Sequence, residues 1–163
     1  MQYPVPPDPS PDVRIAPMRH KDLPEVLAIE VVSFSLPWTE EMFQNDLARG
    51  TLAEVLVARP SDGGPTAPIA GYICIWVVSD ELHINNLAVA PRWRRRGIAK
   101  HLLQAALEFG QERGARQAFL EVRASNQAAQ RLYRQFAFAP VGARTRYYTH
   151  PIEDAVVMRR DGL

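Results

Sequence analysis

The feature that most constrains the fold lies in residues 85–100, where an apolar segment runs into an arginine-rich turn and then a helical pattern. A helix N-terminus carries about half a positive charge, so each cation placed there costs roughly 0.3–1 kcal/mol. Arg94, Arg95 and Arg96 nevertheless crowd this position, directly before Gly97. A bound anion would resolve the conflict, because the free amides of a first helical turn bind phosphate groups and arginines stabilise them. The stretch therefore predicts a strand, turn and helix with a phosphate or pyrophosphate site at the turn.

Length and composition favour one domain. The 163 residues suffice to bury about two thirds of the unfolded surface, and the net charge of +1 gives no overall reason to expect nucleic acid or membrane as partner. The single cysteine, Cys74, excludes a disulfide framework and fits a reducing cytoplasm. The first residues hold no basic residue and no apolar core, so we expect no secretory signal, and no apolar run reaches the roughly 20 residues of a membrane helix. We expect a cytoplasmic protein, with residues 1–12 as a disordered proline-rich tail and residues 13–163 as one domain.

Hydrophobic periodicity predicts alternating strands and helices. Period-two apolar patterns separated by turn signals predict strands at residues 13–18, 52–59, 69–79, 81–90, 117–123, 141–148 and 155–160. Helical spacing with capping residues predicts helices at residues 20–34 and 40–49, between Gly97 and Gly114, and from Asn126 to about Phe136. Parallel pairing is expected only where a helix intervenes. The order predicts an α/β fold with a mixed, mostly antiparallel central sheet of about seven strands flanked by four helices.

Four segments resemble one known family. They are the Arg94-x-x-Gly97-x-Ala99 turn after Leu87-Ala88-Val89, the run Leu120-Glu121-Val122-Arg123-Ala124-Ser125-Asn126, the break Leu36-Pro37-Trp38-Thr39, and the pair Tyr147-Tyr148 before Glu153-Asp154-Ala155. In this order they are similar to the GNAT superfamily of acetyl-CoA-dependent N-acetyltransferases. Within it they resemble the RimI type, whose bacterial enzyme acetylates the N-terminal alanine of the eighteenth small-subunit ribosomal protein. The resemblance implies the GNAT fold and acetyl transfer to a protein N-terminus.

The resemblance also implies which residues bind acetyl-CoA. The backbone of Leu87, Ala88 and Val89 would pair with the pantetheine arm. The pyrophosphate would lie at the turn formed by Arg94, Arg95, Arg96, Gly97, Ile98, Ala99 and Lys100, whose amides from residue 95 onward would bind it. Asn126 would hydrogen-bond the cofactor, and the alternative is a plain helix N-cap.

Two positions depart from the family pattern. Ala99 stands where many relatives have glycine, which adds one methyl group beside the pyrophosphate. Ala137 follows the tyrosine helix where glycine is usual, so we expect a strained turn there.

By the same resemblance, Glu121 is the general base and Tyr133 the general acid. Acetyl transfer from a thioester to an amine needs a neutral nucleophile and a proton for the leaving thiolate. A carboxylate can take the amine proton directly or through water, and a tyrosine with its ordinary pKa of about 10 is still protonated at neutral pH. The residues alone leave another interpretation open, in which the glutamate pairs with Arg123 or a neighbouring arginine and the tyrosine packs beside Leu132.

The expected substrate is a peptide N-terminus. An α-amine has a pKa of about 7.7–8.0 and lysine of about 10.4, so neutral lysine costs roughly 3–4 kcal/mol more at pH 7. Trp38, Tyr147 and Tyr148 are expected to form an aromatic slot for the first residues of the peptide, with ordinary core or strand aromatics as the alternative. The expected partner is therefore a protein N-terminus, of a ribosomal protein by the resemblance, and neither nucleic acid nor membrane. The four histidines lack ligand spacing, so no metal is expected.

Two alternative functions stay open from the sequence. One is a GNAT enzyme that acts on lysine, a small amine or a broader set of N-termini. The other is a CoA-binding module without catalysis. Nucleic-acid binding through residues 92–96 is disfavoured, because no aromatic and basic residues interleave around that run.

Overall fold

Strands and helices alternate along residues 12–163, which are the residues described by the structure, a computed structural model. The strands are β1 (Val13–Pro17), β2 (Ala53–Pro60), β3 (Gly71–Val78), β4 (Glu81–Val89), β5 (Gln117–Arg123), β6 (Ala139–Thr149) and β7 (Ile152–Asp161). The α-helices are α1 (Leu23–Ser33), α2 (Glu40–Ala48), α3 (Ile98–Glu112) and α4 (Gln127–Gln135). The predicted α/β class, with about seven strands and four helices, is confirmed. Residues 1–11 of the predicted tail lie outside the described residues, so the domain division stays a prediction.

The seven strands form one sheet in the order β1-β2-β3-β4-β5-β7-β6. Strands β4 and β5 pair in parallel, and α3 provides the crossover that parallel neighbours require. The other pairs among the described strands are antiparallel. The expectation that parallel pairing would occur only across a helix is thus confirmed.

Two layers of helices cover the sheet. On one face, α1 and α2 pack on a cluster that includes Val55, Val57 and Tyr72. On the other face, α3 and α4 pack on a larger cluster that includes Leu56 and Ile73. Successive side chains of a strand point to opposite faces, and both faces of β2 and β3 are covered, so these strands are apolar almost throughout. Each fully buried aliphatic or aromatic side chain contributes roughly 1.5–3 kcal/mol to folding.

Capping chemistry sets the start of the helices. The Thr39 Oγ1 accepts a hydrogen bond from the Met42 backbone N–H at 3.3 Å, as predicted for the N-cap of α2. The helix predicted for residues 20–34 instead begins with a 3-10 turn, His20–Asp22, and becomes α-helical at Leu23. Pro24 explains this difference, because proline has no N–H and is favoured in the first turn of an α-helix.

A β-bulge opens the sheet between β4 and β5. The register of β4 against β3 shifts between Cys74 and Ile75, so that Ile75 pairs with Ile84 while Cys74 pairs with Asn86, and Asn85 is the extra residue. Pairing of β4 with β5 stops at Ile84. Bulges bend a strand and interrupt its ladder. The sheet therefore carries a gap beside residues 85–89, and a pocket lies there.

Candidate active site

The pocket has a volume of about 710 Å³ and lies between the second half of β4 and the neighbouring β5. The ends of α1, α4 and the β6–β7 turn complete its walls. Ten of the predicted site residues line it: Trp38, Leu87, Ala88, Val89, Ala99, Glu121, Asn126, Tyr133, Tyr147 and Tyr148. The other six form the adjoining turn and first residues of α3: Arg94, Arg95, Arg96, Gly97, Ile98 and Lys100. We call residues 85–100 the strand–turn half of the site, and residues 34–38 with residues 147–150 the loop half.

The turn before α3 leaves the backbone amides of the helix start available. Gly97, at the N-cap, has φ = 79°, and Arg95 has φ = 62°. Both lie in the left-handed region, which glycine adopts freely and other residues adopt at a cost of about 1–2 kcal/mol. No side chain within residues 12–163 caps α3, and its first turn holds no acidic residue. The unpaired N–H groups and the positive end of the helix dipole can therefore receive an anion.

Two arginines of the turn, Arg94 and Arg96, contact other residues of the protein. The Arg94 Nε donates to the Val89 carbonyl at 3.0 Å, and its Nη2 donates to the Ser33 Oγ at 3.3 Å. The Arg96 guanidinium lies over the Trp93 ring, 5.2 Å from the ring centre. Arg94 thus joins the end of β4 to the end of α1, which the sequence did not indicate. Arg94, Arg95 and Arg96 are all exposed.

The free edge of β4 fits an extended ligand. Beyond Ile84, no strand of the described chain pairs with β4 on the side that faces β5. Backbone N–H and C=O groups on such an edge can pair with another extended chain, as an added strand does. The edge leads toward the start of α3, so an elongated molecule that ends in a phosphate could contact both.

Asn126 makes the N-cap bond that the sequence left as an alternative to cofactor binding. Its Oδ1 accepts a hydrogen bond from the Ala129 N–H at 3.1 Å. Asn126 also lines the pocket, so its side-chain NH₂ group is the part that could contact a ligand. The cofactor role stays a prediction.

Glu121 and Tyr133, the predicted base and acid, both line the pocket. On β5, Leu120 and Val122 are buried in the core, which turns Glu121 to the opposite side. One oxygen of Glu121, Oε1, accepts from the Arg144 Nε at 2.7 Å, with side-chain exposures of 27% and 59%. The structure therefore contains the ion pair between Glu121 and a neighbouring arginine that the sequence left open as an alternative. A pair this exposed contributes at most about 1 kcal/mol and can be displaced by a ligand.

Tyr133 is 9% exposed and packs edge-on against Phe138 at a centroid distance of 6.0 Å. Burial raises the pKa of Tyr133 to about 12. The phenol therefore keeps its proton throughout the physiological range and can act as a donor.

Trp38, Tyr147 and Tyr148 come together at the loop half, as the predicted aromatic slot requires. The rings of Tyr147 and Tyr148 pack edge-on at 5.1 Å, and Trp38 packs against Phe43 at 5.2 Å. Hydrogen bonding to Glu121, together with burial, raises the pKa of Tyr147. Burial raises that of Tyr148 to about 12.

The sequence interpretation missed a bridge between the two loops. The Arg123 guanidinium donates to the His150 and Pro151 carbonyls, each at 3.1 Å, and to the Ser35 Oγ at 3.3 Å. It also lies 4.2 Å over the Tyr148 ring and pairs with Glu153 at 3.4 Å. Since Ser35 also donates to the His150 carbonyl, the bridge fixes the α1–α2 loop against the β6–β7 turn.

The second missed feature is a buried carboxylate. Glu30 is 1% exposed, lines the pocket and accepts hydrogen bonds from the Trp38 N–H, the Tyr72 hydroxyl and the Asn86 Nδ2. The signal was present in the sequence, because Glu30 stands on the apolar face of α1 at four residues from Val26 and seven from Leu23.

Comparison with known proteins identifies the class of this fold and site. Residues 23–138 match the model of the acetyltransferase (GNAT) family, and the chain belongs to that family. A Bacillus subtilis protein, named as a candidate ribosomal protein bS18-alanine N-acetyltransferase, is 40% identical over 141 residues, covering 86% of this chain and 90% of its own. The crystal structure of the ribosomal-protein-S18-alanine N-acetyltransferase from Escherichia coli superposes with a TM-score of 0.80 at 30% identity, covering 92% of this chain and 94% of that one. The protein is an N-acetyltransferase similar to the RimI type, as the sequence motifs predicted.

A more distant structure has the same fold. Arabidopsis thaliana NAA60 in complex with acetyl-CoA superposes with a TM-score of 0.81 at 22% identity, covering 92% of this chain and 99% of that one. Within residues 12–163, no helix is both long and apolar enough to cross a membrane. The same residues hold no group of three or more His, Cys, Asp or Glu side chains arranged for a metal ion.

Proposed function

We propose that the protein transfers the acetyl group of acetyl-CoA to the N-terminal α-amine of a protein, and that its substrate is the N-terminal alanine of ribosomal protein bS18. The observation that carries the proposal is the junction of two sites in one pocket. A free strand edge and an uncapped helix start border the pocket, and the rings of Trp38, Tyr147 and Tyr148 also line it. Glu121 and Tyr133 lie in the same pocket. The bS18-directed names of the relatives support the choice of substrate.

The strand–turn half fits CoA. Its elongated pantetheine arm matches the free edge of β4 at Leu87, Ala88 and Val89. Its pyrophosphate matches the free amides at the start of α3, from Arg95 to Lys100. Acetyl-CoA bound there would supply the activated thioester, and the complex of NAA60 shows that this fold holds it in a relative.

The chemistry assigned to the chain is proton transfer at two atoms. Glu121 takes a proton from the attacking α-amine, directly or through water, as the new N–C bond forms. Tyr133 donates its phenolic proton as the C–S bond breaks, so the thiol and not the thiolate leaves. If the peptide displaces Arg144, Glu121 Oε1 becomes free to accept the proton of the amine. Because ribosomal proteins are made in the cytoplasm, we also propose the cytoplasm as the place of the reaction.

A peptide panel tests the proposal. Peptides with the first residues of bS18 should each gain one acetyl group in the presence of acetyl-CoA, detected by mass spectrometry. The panel should include the same sequence starting with Ser or Met, an N-terminally blocked peptide with an internal lysine, and free polyamines. The Ala peptide should react faster than the lysine or the polyamines, since an α-amine is the more easily deprotonated. It should also react faster than the Ser and Met peptides, which we expect from the bS18-alanine names of the relatives. Preferential acetylation of the internal lysine or of polyamines would contradict the proposal, and CoA binding without any transfer would favour the non-catalytic alternative.

A further inference from the structure

Glu30 is the pocket-lining carboxylate without a cationic partner. Three side chains with formal charge line the pocket: Glu30, Glu121 and Arg123. Glu121 pairs with Arg144 and Arg123 pairs with Glu153. Among residues 12–163, no basic nitrogen lies within ion-pairing distance of the Glu30 carboxylate.

Neutral donors satisfy Glu30 in place of a cation. Its Oε1 accepts from the Trp38 N–H at 2.8 Å and from the Asn86 Nδ2 at 3.1 Å, and its Oε2 accepts from Asn86 at 3.0 Å and from the Tyr72 hydroxyl. None of these donors carries a charge, so they do not cancel the negative charge of the carboxylate. Burying an unpaired charge is costly, so its place in a pocket wall calls for a function.

The titratable groups that face Glu30 do not offset this charge. Burial and the Glu30 charge raise the pKa of Tyr72, so Tyr72 stays neutral and donates. Burial raises the pKa of Cys74 on the same strand, so this thiol stays neutral as well. Asn86 on β4 and the Trp38 amide of the loop carry no charge. The field of Glu30 therefore reaches the pocket through a buried wall, where water and salt screen it weakly.

We infer that Glu30 is a specificity-determining residue that attracts the cationic α-ammonium group of the peptide into the pocket. The inference rests on the proposed function, and it assigns substrate selection by the enzyme to the charge of Glu30. Both carboxylate oxygens of Glu30 already accept hydrogen bonds from the protein, so Glu30 attracts the amine at a distance and does not contact it. Its hydrogen bonds to Trp38 and Asn86 place that charge between the aromatic slot and the opened part of β4. A neutral N-terminus would gain nothing from it.

The test compares peptide binding to the CoA-loaded protein by calorimetry. Glu30→Gln removes the charge while Tyr72 and Asn86 can reorient to pair with the amide. At about pH 6.5, where the α-amine is an ammonium, we expect the Kd of the Ala peptide to rise about tenfold. At about pH 9.5, where the amine is neutral, the change should be less than about twofold. The same peptide already acetylated at its N-terminus should bind wild type and variant equally at both pH values, which removes any contribution from ionisation of His150, Glu121 or the tyrosines.

Two matched variants separate charge from structure. Asp46→Asn neutralises another buried carboxylate, bonded to Trp76 outside the pocket, and should leave peptide affinity unchanged. Tyr72→Phe removes one bond to Glu30 but keeps its charge, so its effect should not depend on the charge of the peptide. If Glu30→Gln folds poorly, the same substitution is compared with wild-type charge in the Tyr72→Phe background, where no phenol hydroxyl has to reorient toward the new amide.

The outcomes are distinct. The inference would be overturned if wild type and Glu30→Gln had equal Kd values at both pH values, or if the free and the acetylated peptide lost equal affinity. The proposed function would survive either result as long as wild type still acetylates the Ala peptide. A wild type that acetylates no α-amine would overturn the proposed function, and this inference with it.

Discussion

The strand–turn half of the site consists of residues close in sequence, whereas the loop half is joined by contacts between distant segments. In the strand–turn half, a strand end, a left-handed glycine and a helix start follow one another within residues 85–100. In the loop half, Ser35 meets Arg123 across 88 positions and His150 across 115. The first half presents mainly backbone groups, and the second presents side chains. The comparison suggests that cofactor binding depends on local geometry and substrate choice on tertiary packing, which variants can test.

Tyr133 lines the pocket but belongs to neither half, so its loss should impair neither binding step. Tyr133→Phe should lower kcat about 100-fold, the typical contribution of a general acid, while the Kd of acetyl-CoA and the KM of the peptide stay within about twofold. The pKa of Tyr133 is about 12, so the phenol should stay protonated up to about pH 10. We therefore expect wild-type kcat/KM to rise as the amine loses its proton and to show no decline at any pH up to about 10. Steady-state kinetics across pH measure both. An undiminished rate in the variant would remove Tyr133 from the acid role.

Gly97→Val should damage the strand–turn half alone. A β-branched residue at φ = 79° is strained, and the turn would shift its amides, so we expect acetyl-CoA affinity to fall about 30-fold, equivalent to about 2 kcal/mol. Gly114→Val is the matched control, since Gly114 has φ = 86° at the other end of α3. It should lose similar stability by thermal unfolding and keep CoA affinity. Retained affinity in Gly97→Val would refute the placement of the pyrophosphate.

Trp38→Ala should damage the loop half alone. Removal of one wall of the aromatic slot should raise the KM of the peptide about tenfold with little change in that of acetyl-CoA. Trp76→Ala serves as control, because Trp76 is also partly buried but bonds to Asp46 outside the pocket. If both variants raise the KM of the peptide equally, the loss is one of stability and the slot is not at Trp38.

The smallest effect is expected at the arginines of the turn. Arg95→Ala should weaken acetyl-CoA binding only about threefold at low salt and not measurably at about 1 M salt, because an exposed charge is screened over about 3 Å there. Arg113→Ala removes the same charge at the far end of α3 and should have no effect at either ionic strength. A large loss that persists at high salt would assign Arg95 a direct phosphate contact and weaken the contrast between backbone and side-chain recognition.

What the sequence predicts follows the same division. The strands, helices and caps were predictable because periodicity and N-cap chemistry are local. The predicted start of α1 was wrong by one 3-10 turn, because Pro24 fixes where the α-helix begins. Ala137 takes φ = 65°, as expected for a residue that replaces a turn glycine. The bridge at Arg123 and the environment of Glu30 were not predictable, because their partners come from other elements. A carboxylate on an apolar helix face showed that a partner must exist but could not name Tyr72 or Asn86.

The bulge at Asn85 shows how small the difference is between a closed sheet and a catalytic groove. The residues before it, such as Ile84, pack toward α3, and Asn86 and Ala88 after it pack toward α1. Deletion of Asn85 would leave Ile84 and Asn86 opposite Ile75 and Cys74, the pairs they form already. Every later side chain of β4 would keep its face. A single-codon deletion could thus preserve the core while removing the bend that parts β4 from β5, and would yield a stable but inert relative of the enzyme.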